Sequence, residues 1–160
     1  MRFSGSMVLL VGIGLSGWAH AEQPMEPGAW QMHMTSVARD PKTGESTTGP
    51  EATLKMCLSE EFLAKDPYLT PNLDKEKMEK KHAKCTTSDH KREGNSASWK
   101  IQCTMADGSQ VSMTVNNVAA RHKLTSKLEQ TIQKDGRATL ASMSMEMSFI
   151  GECTSDMPKL

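Results

Sequence analysis

Three methionines at every second position, Met143, Met145 and Met147, sit in a stretch of alternating character near one end of the chain. Met32 and Met34 repeat the spacing near the other end. Side chains two apart on an extended strand share a face, so each stretch presents thioethers on one side. Thioether sulfur is a soft donor suited to Cu(I), and a sheet that laid the last strand beside the first would gather all five. The same surface suits an apolar pocket, with Trp30, Met32, Met145 and Met147 as a flexible wall. The competing role is core filling, because unbranched methionine packs irregular gaps. The chain carries 13 methionines against 4% aromatic residues. His33 stands between Met32 and Met34, but the strand period sends its ring to the opposite face. No metal is therefore favoured and no cofactor is expected; Cu(I) on Met32, Met34, Met143, Met145 and Met147 is the alternative.

Cys57, Cys85, Cys103 and Cys153 are the other reactive set. Their spacing lacks the close pairs typical of zinc sites. The chain opens with Arg2, an apolar run over residues 7–15 and the small-x-small triplet Ala19-His20-Ala21. That is the pattern of a secretory signal peptide over residues 1–21, cut after Ala21, leaving residues 22–160 as one domain. An exported chain with four cysteines is expected to form two disulfides. Residues 85–103 read as a β-hairpin turning at Gly94-Asn95. With a three-residue loop of Glu93, Gly94 and Asn95, Arg92 faces Ser96 and Cys85 faces Cys103. That register favours Cys85 with Cys103 and leaves Cys57 with Cys153; the rival arrangement joins Cys57 to Cys85.

Catalytic constellations are missing from the pattern. His33, His82, His90 and His122 are scattered, and His90 and Asp89 are neighbours on a strand, so they point to opposite faces. No nucleophile elbow, H-E-x-x-H helix or phosphate loop occurs. With Lys+Arg and Asp+Glu both at 19, the chain lacks the basic excess that phosphate neutralisation needs, which excludes nucleic acid as the expected partner. No stretch after the leader is apolar enough to cross a bilayer. The expectation is a non-enzymatic, monomeric, periplasmic module that binds a small apolar ligand or an envelope protein.

The elements that must position these residues are mostly strands. Residues 29–37 and 53–58 alternate, the former with Trp30, Met32 and Met34 on one face. Residues 39–49 read as a loop. Ser59 can cap a short helix that Asp66-Pro67 ends, and residues 74–84 have helix formers but almost no apolar stripe. After the hairpin, residues 109–117 place Val111, Met113 and Val115 on one face, and Asn116-Asn117 reads as a break. Residues 123–133 turn Leu124, Leu128 and Ile132 inward. Asp135-Gly136 is a turn, and residues 138–150 form a long last strand. The fold class is mainly β: an antiparallel meander of about seven strands, curled or barrel-like, with a short helical insertion between the second and third strands.

Four landmarks run through the chain: P-G-A-W at 27–30, C-L-S-E-E at 57–61, S-D-H-K-R-E-G-N-S-A-S-W-K-I-Q-C at 88–103, and F-I-G-E-C at 149–153. In order and spacing the chain resembles the bacterial periplasmic domain-of-unknown-function family 3617. It departs from the family pattern at Ala29, at Ser59-Glu60 and in the longer charged segment before Cys85. The resemblance implies a periplasmic location, four paired cysteines and a β-rich fold, and it implies no reaction.

Overall fold

Strands form wherever the sequence alternates. The computed structural model describes residues 24–70, 80 and 82–160. It contains β1 (Gly28–Arg39), β2 (Ser46–Thr48), β3 (Ala52–Leu58), α1 (Glu60–Lys65), β4 (Lys84–Glu93), β5 (Ser96–Thr104), β6 (Gln110–Ala120), β7 (Lys123–Lys134) and β8 (Arg137–Gly151). The leader expected over residues 1–21 and most of the solvated helix or loose loop expected over residues 74–84 lie outside the described residues. β2 arises inside the expected loop: three exposed residues pair with the end of β1. A segment that short is too brief to show a period.

All pairings between strands are antiparallel, in the order β2-β1-β8-β7-β6-β5-β4, with β3 also on β1. The meander from β4 to β8 therefore continues onto β1, and the last strand meets the first. The sheet does not close into a barrel. Its two edges are blunted in different ways. On β3, the Cys57 N–H donates to Pro158 O at 2.8 Å, and the Leu160 N–H donates to Cys57 O at 3.0 Å. On β4, the register slips between Ser88 and Lys91, with Asp89 at φ +53°, and the strand is almost wholly exposed and charged. Bulges and charge are how sheets discourage pairing along a free edge.

The β4–β5 hairpin turns on two residues, not three. Glu93 pairs with Ser96 and Arg92 with Ala97, with Gly94 at φ +56°, an angle glycine adopts without strain. The bulge at residues 89–90 adds back one residue, and Cys85 still faces Cys103.

The inner face carries two apolar clusters. Met25, Trp30, Leu58, Leu63, Ala119, Leu124 and Met147 make one; Ala97, Trp99, Ile101, Cys103 and Val115 make the other. Tyr68 packs against both. Ser59 caps α1, its Oγ accepting from the Phe62 N–H at 3.1 Å, and the helix presses the buried Leu63 onto the first cluster. The lead-in before β1 buries Met25 and is anchored by Glu26. The Glu26 carboxylate accepts from Arg121 Nε at 2.7 Å and pairs with His122 Nε2 at 2.8 Å. Those contacts, Arg121 first, hold it below the usual carboxylate range. Gly28 lies so close to β8 that an added Cβ would stand 2.6 Å from the Phe149 ring and 2.7 Å from Gly151 O.

Cys57 bridges Cys153 and Cys85 bridges Cys103, with sequence separations of 96 and 18. Loop closure gives the longer link roughly 4–5 kcal/mol and the shorter roughly 3 kcal/mol. Replacing Cys57 and Cys153 together by serine is expected to lower the urea midpoint more than replacing Cys85 and Cys103. The opposite order would contradict this account of the two links.

Candidate ligand-binding face

The β1–β8 register sets the methionines opposite one another: Met32 faces Met147, Met34 faces Met145, and Ser36 faces Met143. Directly opposed residues bring their Cβ atoms to about 4.5–5.5 Å. On one side Leu54 lies opposite Met32 and Met56 opposite Trp30. On the other, Leu124, Ser126 and Leu128 of β7 lie opposite Met147, Met145 and Met143.

Burial falls steadily across this surface. Trp30 and Met147 are fully covered, and Met32, Met34, Met56 and Met145 are half-buried. Met143 is 41% exposed and Leu54 50% exposed. Trp30 is core: its Nε1–H donates to Glu26 O at 2.9 Å, and its ring meets Phe149 edge-on at 5.7 Å. Of the four residues read as a pocket wall, Trp30 and Met147 are thus sealed away, while Met32 and Met145 reach the open part.

The histidines are dispersed. His33 is on the other face, with Nδ1 3.3 Å from Thr53 Oγ1 and Nε2 3.8 Å from Glu51. His122 pairs with Glu26 and stacks on Phe149 at 5.1 Å. His82 and His90 are exposed, and Asp89 beside His90 pairs with Lys100 at 2.9 Å. Among the described residues no three His, Cys, Asp or Glu side chains converge as a metal site.

The sequence reading missed a polar spot inside the apolar face. β6 does not break at Asn116-Asn117 but runs on to Ala120. Asn117 takes the next inward step after Val111, Met113 and Val115, and is 1% exposed. A polar residue on an apolar period was the available signal. Its Nδ2 donates to Tyr68 O at 2.6 Å and Leu69 O at 3.4 Å, while Oδ1 has no partner among the described residues. Trp99, on β5 and 2% exposed, likewise has an unpartnered Nε1–H. Ser126 lies opposite Asn117 and is buried.

Residues 66–70 strap this spot. The Tyr68 hydroxyl donates to Gly94 O at 2.8 Å, Arg92 lies 5.5 Å over the Tyr68 ring, and Thr70 Oγ1 donates to Asp66 Oδ1 at 2.9 Å. Leu69 holds φ +50°, unusual for a bulky residue.

The outer face carries two shallow hollows that share Ser112 and Thr131. One, of about 600 Å³, is bounded by Val37, Arg39, Glu129 and Leu140; the other, of about 450 Å³, by Thr86, Gln102, Gln110 and Gln133. Their lining is mostly hydroxyl and amide.

Residues 25–153 match the family described as Protein of unknown function (DUF3617). The chain belongs to that family. No curated protein and no solved structure matches it. In this DUF3617 chain the landmark residues do structural work. Gly28 permits close packing on β8, Leu58 is core, Ser59 caps α1, and Cys57, Cys85, Cys103 and Cys153 form the two bridges.

The burial gradient makes one outcome specific. Met147→Ala is expected to cost roughly 2–5 kcal/mol of unfolding free energy, as buried truncations do. Met143→Ala should cost under about 0.5 kcal/mol, as exposed ones do. Denaturant unfolding that gave equal losses would contradict this placement.

Proposed function

We propose that this protein is a non-enzymatic periplasmic binding module, monomeric, whose methionine wall takes a small apolar ligand. The observation that carries the reading is the continuous half-open strip of Leu54, Met56, Met32, Met34, Met145 and Met143. It is the open margin of a face otherwise packed under Met25, Leu63 and Tyr68. Contiguous exposed apolar surface marks interaction sites, and flexible thioethers adapt to varied ligand shapes. Two disulfides fit an oxidising compartment, and the leader-like residues 1–21 support export to the periplasm. His33 and His122 are engaged with Thr53 and Glu26, which favours binding over catalysis.

Titration with the uncharged apolar fluorophore N-phenyl-1-naphthylamine tests this. Saturable enhancement is expected, weakened about tenfold or more by Met34→Glu with Met145→Glu, which places two buried-facing charges on the wall. A variant that keeps its thermal melt and binds the dye unchanged would overturn the reading.

A second reading uses the same strip. The facing pairs Met32–Met147 and Met34–Met145 set soft donors on adjacent strands, as Cu(I) requires. Under this reading the protein withdraws Cu(I) from bicinchoninate, and Met34→Ile with Met145→Ile abolishes the withdrawal. A wild-type protein that takes no Cu(I) from the chelator excludes it.

A further inference from the structure

Buried polar groups nearly always have hydrogen-bond partners. Among the described residues two buried side-chain atoms have none, Trp99 Nε1 and Asn117 Oδ1, and they belong to residues on adjacent strands. Trp99 faces Val115, while Asn117, two residues further along β6, faces Ala97. The two residues are therefore diagonal on the inner face, about 7–8 Å apart with their Cβ atoms somewhat closer. One orphan is a donor and the other an acceptor, so a group that both accepts and donates matches the pair.

The pair also terminates the methionine wall. Across the sheet, Met34, Met145, Ser126 and Asn117 form one row. Met143, Leu128, Val115 and Trp99 form the next. Both rows start at the half-open strip on β1 and β8, pass over β7, and end at the two unpartnered atoms. An apolar chain lying along Met143, Met145 and Leu128 would bring its head to Trp99 and Asn117.

We infer that this Trp99–Asn117 notch is the head-group end of the site, and that it selects ligands with an apolar chain and an uncharged head that both accepts and donates a hydrogen bond, a hydroxyl or a carboxamide. The inference rests on the binding reading above. The head accepts from the Trp99 indole N–H and donates to Asn117 Oδ1. A carboxylate only accepts, so it leaves Asn117 Oδ1 facing an anion in an apolar setting. An ammonium only donates, so it leaves the Trp99 N–H facing a cation. Entry requires the strap to lift, because Asn117 Nδ2 is bonded to Tyr68 O and Leu69 O. The strap is held by a few hydrogen bonds and by Tyr68 packing on both clusters, and it keeps Leu69 at φ +50°, a sparsely populated conformation that persists only while its surroundings fix it.

Displacement of bound N-phenyl-1-naphthylamine by 1-decanol, decanamide, decanoate and decylammonium at neutral pH tests the proposal on the processed protein. Decanol and decanamide are expected to displace the dye at concentrations about tenfold lower than the two ions, since a site built for a hydrogen-bonding head rejects heads that cannot make the bonds. Trp99→Phe keeps an aromatic ring and removes the N–H; it should bind the dye as before and lose the advantage of decanol over decanoate. Should that variant fail to fold, the indole N–H resonances of the wild type give the answer. The Trp99 signal should shift with decanol, while that of Trp30, bonded to Glu26 O, should not. Equal displacement by all four probes, or a Trp99 signal unmoved while decanol displaces the dye (as when a water alone serves both atoms), overturns the inference and leaves the binding reading standing. Failure of the dye itself to bind removes the binding reading and this inference together.

Discussion

An open antiparallel sheet with one apolar face must cover that face with something other than itself, and this requirement organises the rest of the chain. A barrel would supply the cover by closure; here both edges are blunted, β4 by its bulge and charges and β3 by residues 158–160. Among the described residues the cover comes instead from three small pieces. Met25 in the lead-in, Leu63 on a six-residue helix and Tyr68 in the strap each press on the sheet. None has enough apolar area to hold itself down. Each is accordingly pinned by a directional bond: Glu26 to Arg121, Ser59 to the first turn of α1, Asn117 to Tyr68 O.

This division of labour explains why polar residues appear inside the face. Asn117 and Ser126 lie between the two apolar clusters, and the strap crosses at that line. Removing them would join the clusters into one, but nothing would then fix where the strap crosses. Buried amides confer register of this kind in other folds at some cost in stability. The cost is visible in the unpartnered Asn117 Oδ1 and Trp99 Nε1.

Strand positions were legible in the sequence because alternation is a local signal. The short helix was legible too, since Ser59 and Asp66-Pro67 punctuate it chemically. Four things were not. β2 has no period to read in three residues. Asn117 looked like an interruption because its composition suits a turn, whereas its position continues the inward face of β6. The hairpin shows a subtler case: a loop assumed to be one residue too long and an unseen bulge cancel, so Cys85 met Cys103 for an incomplete reason. The difference between sealed Met147 and open Met143 was beyond local pattern altogether. They share a face and a period, and only the placement of distant covering pieces separates them.

The long bridge has a consequence for how the molecule is made. β1 lies between β3 and β8, and Cys57 at the end of β3 is tied to Cys153 just past β8. The strand synthesised earliest is thus flanked by the one synthesised last, and the pairing that completes the sheet joins segments more than a hundred residues apart (Trp30 with Phe149). Such non-local closure is slow. Cys57 must stay unengaged until the segment that carries Cys153, 96 residues further on, has been made. Mispairing of Cys57 with the nearer Cys85 is the natural trap, so maturation of this chain should depend on a catalyst that reshuffles thiols.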